Sequence, residues 1–101
     1  MENLVSIVVT CYNHEKYIEQ CLRSIFNQTY SNIELIVIND GSTDGSDSVI
    51  KRALQEVPFE KYKYISHGNK GLVVSRNIGL EIVTGDFLLF VDSDNLSLIH
   101  I

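Results

Sequence analysis

The chain has 101 residues, enough for one hydrophobic core but small for an enzyme that must hold two substrates. Its hydrophobic fraction of 45% and charged fraction of 21% are those of a folded globular protein and exclude disorder. The formal net charge of −5 argues against general adhesion to nucleic acid or to an anionic membrane, so a phosphate-bearing ligand needs a bridging cation or local help from Lys70 and Arg76.

Met1 to Ile7 lacks the basic start and long apolar core of a signal peptide. No apolar run approaches the ~20 residues that span a bilayer, so a soluble, cytoplasmic chain is expected. LVSIVVT (Leu4 to Thr10) is rich in β-formers and predicts a first strand. Asn13 is placed to cap a helix in which Tyr17, Ile18, Cys21, Leu22, Ile25 and Phe26 recur at helical spacing. Cys11 and Cys21 make neither a CxxC pair nor a disulfide framework, and Cys21 falls on that apolar stripe, so both are expected to be reduced. IELIVIN (Ile33 to Asn39) predicts a second, buried strand. After the turn-rich DGSTDGS, Asp44 or Ser46 caps a second helix with Val49, Ile50, Ala53, Leu54 and Val57 as its stripe, which Pro58 ends. YKYIS (Tyr62 to Ser66) is a weaker third strand and HGNKG a loop. Leu72 to Val83 reads as a third helix despite Gly79, closed by Gly85, and DFLLFV as the fourth strand.

This alternation predicts an α/β fold, one doubly wound half of a nucleotide-binding layout, with right-handed crossovers and a parallel sheet flanked by helices. Strand order 3-2-1-4 puts the switch point between strands one and four. Thr10, Cys11 and Tyr12 then lie beside Asp92 and Asp94, with Asp40 on the other side of strand one.

Three segments carry chemistry. In FLLFVDSDN an apolar run suited to a strand covered on both faces stops at Asp92 and Asp94, hard oxygen ligands of the kind Mg²⁺ or Mn²⁺ takes together with substrate phosphates. A polar turn capping the strand is the plainer account of the same residues. In NDGSTDGS, Asp40 follows directly on a strand and suits a base N–H or a ribose hydroxyl, although an Asp-Gly turn with helix caps fits as well. GNKGLVVSRNIG supplies the cations: Lys70 in the loop, as a candidate phosphate contact or a solvated side chain, and Arg76 about one turn into the helix, facing the crevice or an acidic loop. His14, His67 and His100 show no ligand spacing, and none is assigned a role.

In this order and spacing, VSIVVTCYNHEKYIEQCLRSIFNQTYSNIELIVINDGSTDGS, GNKGLVVSRNIG and GDFLLFVDSD resemble the family 2 glycosyltransferases of the GT-A fold, over nearly the whole chain. The resemblance implies a nucleotide-diphosphate sugar as donor, with UDP the expected nucleotide and a saccharide or lipid as acceptor. It also implies that Thr10 and Tyr12 line the base and ribose pocket, that Asp40 hydrogen-bonds the base, and that Arg76 lies near the nucleotide and diphosphate. Asp92 would touch ribose or metal, and Asp94 would coordinate Mn²⁺ or Mg²⁺. A full-length protein working near a membrane in cell-envelope polysaccharide synthesis belongs to the same expectation.

The resemblance covers residues 1–95 as the donor-binding subdomain. Asn95 stands where the family usually has an acidic residue, and 96–101 is an atypical tail, native or appended. No carboxylate follows Asp94, so the general base of an inverting transfer is expected beyond Ile101, and the chain alone is expected to be inactive. A half-sheet with an exposed edge predicts self-association. Two other readings compete. A sugar-phosphate nucleotidyltransferase usually carries a glycine-rich basic loop where TCYNHEKY has no glycine. A receiver-like Mg²⁺ module places its acids after strands one and three, whereas here they follow strands two and four.

Overall fold

A computed structural model describes residues 3–93, so the expectations for Asp94, for the boundary at residue 95 and for the tail 96–101 lie outside it. In chain order the elements are β1 (Val5–Cys11), α1 (Ile18–Phe26), β2 (Ile33–Asp40), α2 (Ser46–Leu54), β3 (Lys61–His67), α3 (Leu72–Ile82) and β4 (Phe87–Asp92). The strands form one parallel sheet in the order β3-β2-β1-β4, as the alternation predicts.

Side-chain alternation along the strands sorts two cores. Ile7, Val9, Cys11, Leu35 and Val37 meet Ile18, Cys21, Leu22, Ile25, Ile50, Ala53 and Leu54 of α1 and α2 in the larger one. Val8, Ile36 and Ile38 face the other way and pack with Ile78 and Ile82 of α3 and with Phe90 of β4. β2 is paired on both sides and covered above and below, so every residue from Ile33 to Asp40 is buried. Cys11 and Cys21 are free and buried. Burial first, then the neighbouring Cys11 and Asp92, pushes the Cys21 thiol up to about 12, which keeps it protonated and unreactive.

Element ends depart from the sequence expectation in four places. Asn13 does not cap α1: it takes a left-handed turn at φ 54°, and its amide oxygen accepts the N–H of Thr43 at 2.8 Å. Helix α1 starts later, behind Tyr17. α2 stops at Leu54, ahead of Pro58, where the N–H groups of Glu56 and Val57 bond three residues back and tighten the chain out of helical geometry. Gly85 does not close α3, which ends at Ile82. Instead it crosses the foot of β1, where its N–H donates to Ser6 Oγ at 2.9 Å and a Cβ would lie 2.4 Å from that oxygen. β4 is not covered on both faces. Among the described residues it pairs with β1 alone, and α3 packs chiefly on β1 and β2, which leaves Phe87 59%, Leu88 39% and Leu89 36% exposed.

Candidate functional site

On the α3 side, beyond the carboxyl ends of β1, β2 and β4, lies a cleft of about 400 Å³. Its lining includes Thr10, Tyr12, His14, Asp40, Ser75 and Asp92. Parallel pairing sets Thr10 directly opposite Asp92, and alternation turns both to the face of Val8 and Phe90, under the N-terminal end of α3. This is the switch point of the sheet, where open α/β sheets bind ligands.

Asp40 builds one wall. Its carboxylate accepts the N–H of Lys70 at 2.8 Å and of Gly71 at 3.0 Å, and the ring Nδ1 of His67 is 3.5 Å away. Gly41 follows at φ 70°, where a Cβ would lie 2.4 Å from the backbone N of Asn69, so the Asp-Gly pair lets β2 seat the 68–71 loop against itself. His67 Nε2 in turn lies 3.3 Å from the buried Ser75 Oγ.

The β1–α1 loop makes the opposite wall. Asn13 N–H donates to Ser42 Oγ at 3.0 Å, and Asn13 Oδ1 accepts from Thr43. Glu15 N–H donates to Asp44 Oδ2 at 3.2 Å, while Gly45 N–H donates to Glu15 Oε1 at 3.1 Å. Asp44 Oδ1 also accepts the N–H of Ser46 at 2.9 Å, but the cap position of α2 falls to Gly45, so neither Asp44 nor Ser46 is its N-cap. These reciprocal bonds tie the loop that carries Tyr12, 43% exposed, to the β2–α2 loop. His14 turns to β4, with Nδ1 2.5 Å from Ser93 Oγ and 3.9 Å from Asp92 Oδ1.

The structure thus gathers Thr10, Tyr12, Asp40 and Asp92 in one cleft. It does not bring in Arg76, whose guanidinium carbon lies 5.4 Å above the Phe90 ring on the flank, a cation–π contact. Lys70 contributes its backbone N–H to the Asp40 latch, and its side chain is not part of the lining. Sequence reasoning missed His14 and Ser75. The only signal for His14 was its place two residues after Tyr12, and for Ser75 its place directly before Arg76.

Among the described residues no three His, Cys, Asp or Glu side chains gather around a common point. The donor set present still suits Mg²⁺ or Mn²⁺: the Asp92 side chain is 39% exposed at the cleft, and such ions take one or two protein carboxylates plus phosphate oxygens.

The parallel 3-2-1-4 sheet with a cleft at its switch point places the chain among the Rossmann-like domains of the GT-A fold. Residues 6–98 match the family model described as Glycosyl transferase family 2, and the chain belongs to that family. It is 42% identical over 95 residues to Glycosyltransferase GlyA of Streptococcus pneumoniae, a match that covers 94% of this chain and 13% of that protein. The mannosyltransferase PcManGT from Pyrobaculum calidifontis, solved in complex with GDP-Man and Mn²⁺, superposes with a TM-score of 0.86 at 27% identity, covering 93% of this chain and 28% of that one. TarS of S. aureus in complex with UDP-GlcNAc gives a TM-score of 0.81 at 33% identity, covering 90% and 26%. The chain therefore spans less than a third of each of these proteins. No helix among the described residues is long and apolar enough to cross a membrane.

Proposed function

We propose that this chain is the donor-binding portion of an inverting glycosyltransferase that moves a sugar from a nucleotide-diphosphate sugar, UDP-linked, to a saccharide or lipid acceptor. The observation that carries the reading is the Thr10–Asp92 pair at the switch point, in a cleft that also holds Tyr12 and Asp40. Family membership and the nucleotide-sugar complexes of similar proteins support it.

Each residue has a physical task. The Tyr12 ring offers a stacking face to the base, worth about 1–3 kcal/mol largely regardless of base identity. Asp40 accepts a base N–H, and Thr10 meets the ribose. Asp92 and Asp94 would hold Mn²⁺ or Mg²⁺, and Lys70 and Arg76 would add positive charge from outside the cleft lining. When bound, the ion acts as a Lewis acid that neutralises charge on the leaving diphosphate.

Attack on the anomeric carbon also needs a base for the acceptor hydroxyl. Donor binding is the part of the reaction that the cleft residues named here carry. The whole protein works on the cytoplasmic side, near a membrane, in cell-envelope polysaccharide synthesis. Calorimetry tests the core of the reading: Mn²⁺ uptake that depends on UDP supports it, with GDP run in parallel to identify the base. Uptake indifferent to either nucleotide overturns it in favour of a metal-binding module.

A further inference from the structure

Residues 12 to 15 leave β1 with side chains sent to opposite sides. Asn13 and Glu15 are clamped to the β2–α2 loop by the four bonds described above, so the backbone on either side of His14 is fixed. His14 is directed across the carboxyl end of β1 to Ser93, at a hydrogen-bonding distance of 2.5 Å. Ser93 is 0% exposed, and its N–H donates to Thr10 O at 3.0 Å, which carries the β1–β4 ladder one residue past Asp92. At 3.9 Å the Asp92 carboxylate is beyond hydrogen-bond range of the same ring nitrogen, whereas the Ser93 hydroxyl is within it and links His14 directly to the end of β4.

We infer that His14 is a positioning residue for the Asp92 carboxylate at the end of β4: through the Ser93 hydroxyl it fixes the peptide that follows Asp92, and so the direction in which that carboxylate meets a divalent cation. The inference rests on the donor-site reading above. Partners that orient metal-binding side chains characteristically change metal affinity by about 10- to 100-fold when removed. The clamp at Asn13 and Glu15 joins the nucleoside side of the cleft to this hook, so one loop sets both Tyr12 and the Asp92 carboxylate.

The test uses the full-length protein with His14→Ala, Ser93→Ala and the double variant. Free Mn²⁺ is measured by EPR with UDP present, and UDP binding is measured separately without metal. Each single substitution is expected to weaken Mn²⁺ uptake about tenfold, and Ser93→Ala, at a buried side chain outside the cleft lining, is expected to leave metal-free UDP affinity unchanged. The double variant is expected to be no weaker than either single, because both remove one link. His14→Asn, which keeps a hydrogen-bonding atom near the position of Nδ1, is expected to recover most of the uptake. Multiplying losses in the double variant, unchanged uptake in His14→Ala, or an equal loss of metal-free UDP binding in Ser93→Ala overturns the inference. If the wild-type protein takes up no Mn²⁺ with either UDP or GDP, the donor reading itself falls. Amide exchange at Ser93 then decides the hook: acceleration by His14→Ala supports it, and an unchanged rate overturns it.

Discussion

Asp40 commits both carboxylate oxygens to backbone N–H groups of the 68–71 loop and still forms part of the cleft wall. Hydrogen bonds to a charged acceptor contribute about 1.5–3 kcal/mol, and a buried donor left unmet costs its desolvation as well. Asp40→Ala is therefore expected to destabilise the fold by about 2 kcal/mol or more in chemical denaturation and to accelerate amide exchange at Lys70 and Gly71. Asp40→Asn retains one acceptor and should lose roughly half as much. Tyr12 presents the opposite case, because its ring is 43% exposed and contributes little to the core. Tyr12→Ala should weaken UDP binding about tenfold in calorimetry while leaving the thermal midpoint unchanged. An unchanged UDP affinity would remove Tyr12 from the base pocket.

Two elements are held by contacts that lie away from the cleft. At the foot of the sheet the buried Glu34 accepts from Ser6 Oγ at 2.7 Å, from Thr84 N–H at 2.8 Å and from Thr84 Oγ1 at 2.9 Å, which pins the α3–β4 turn to β1 and β2. Burial alone would raise this carboxyl. The Thr84 N–H, the Ser6 and Thr84 hydroxyls and the charge of Lys61 outweigh it and hold the group below its ordinary value. A depressed folded pKa gives stability that is complete above the unfolded value near ~4.3 and is lost as pH falls through the lower folded one. Glu34→Gln should accordingly flatten the acid side of the stability–pH profile, which urea titrations from neutral pH downward would measure. Helix α3 reaches the sheet at Gly79, where a Cβ would lie 2.7 Å from Val8 Cγ1 and 3.4 Å from Ile38 Cδ1. Gly79→Ala gains about 1 kcal/mol of helix propensity but overpacks a core of β-branched side chains, so a net loss of about 1 kcal/mol or more is expected in denaturation. The order of these elements was legible in the sequence because apolar periodicity switches cleanly between strand and helix. The same reading placed Thr10 beside Asp92. Their ends were not legible: Asn13 meets Thr43 and Gly85 meets Ser6 through contacts between residues far apart in the chain, which local capping rules do not see. His14 escaped for the same reason, since its partner Ser93 is distant in sequence.

At the scale of the whole molecule, the ion pairs and the exposed apolar side chains sit on different elements. Glu19, Arg23, Arg52 and Glu56 tie α1 to α2 at the surface through exposed ion pairs, an arrangement that contributes little to stability but keeps that side hydrated. Apolar exposure gathers at the β4 edge, where Phe87 and Leu89 on one face of the strand and Leu88 on the other are exposed, and on α3 at Val73 and Leu80. Among the described residues β4 pairs on one side only, so its outer edge presents unpaired backbone groups beside apolar side chains. Net charge of −5 opposes close approach of two copies, and salt screens that repulsion. The 101-residue chain is therefore expected to self-associate, with a sedimentation mass that rises with concentration and rises further with added salt. Leu88→Lys places a charge on the edge strand and should return the mass toward the monomer. Because Leu88 lies at the foot of β4, away from the cleft, this variant should keep its UDP affinity. A mass that stays monomeric at every concentration would mean that charge repulsion outweighs the exposed edge.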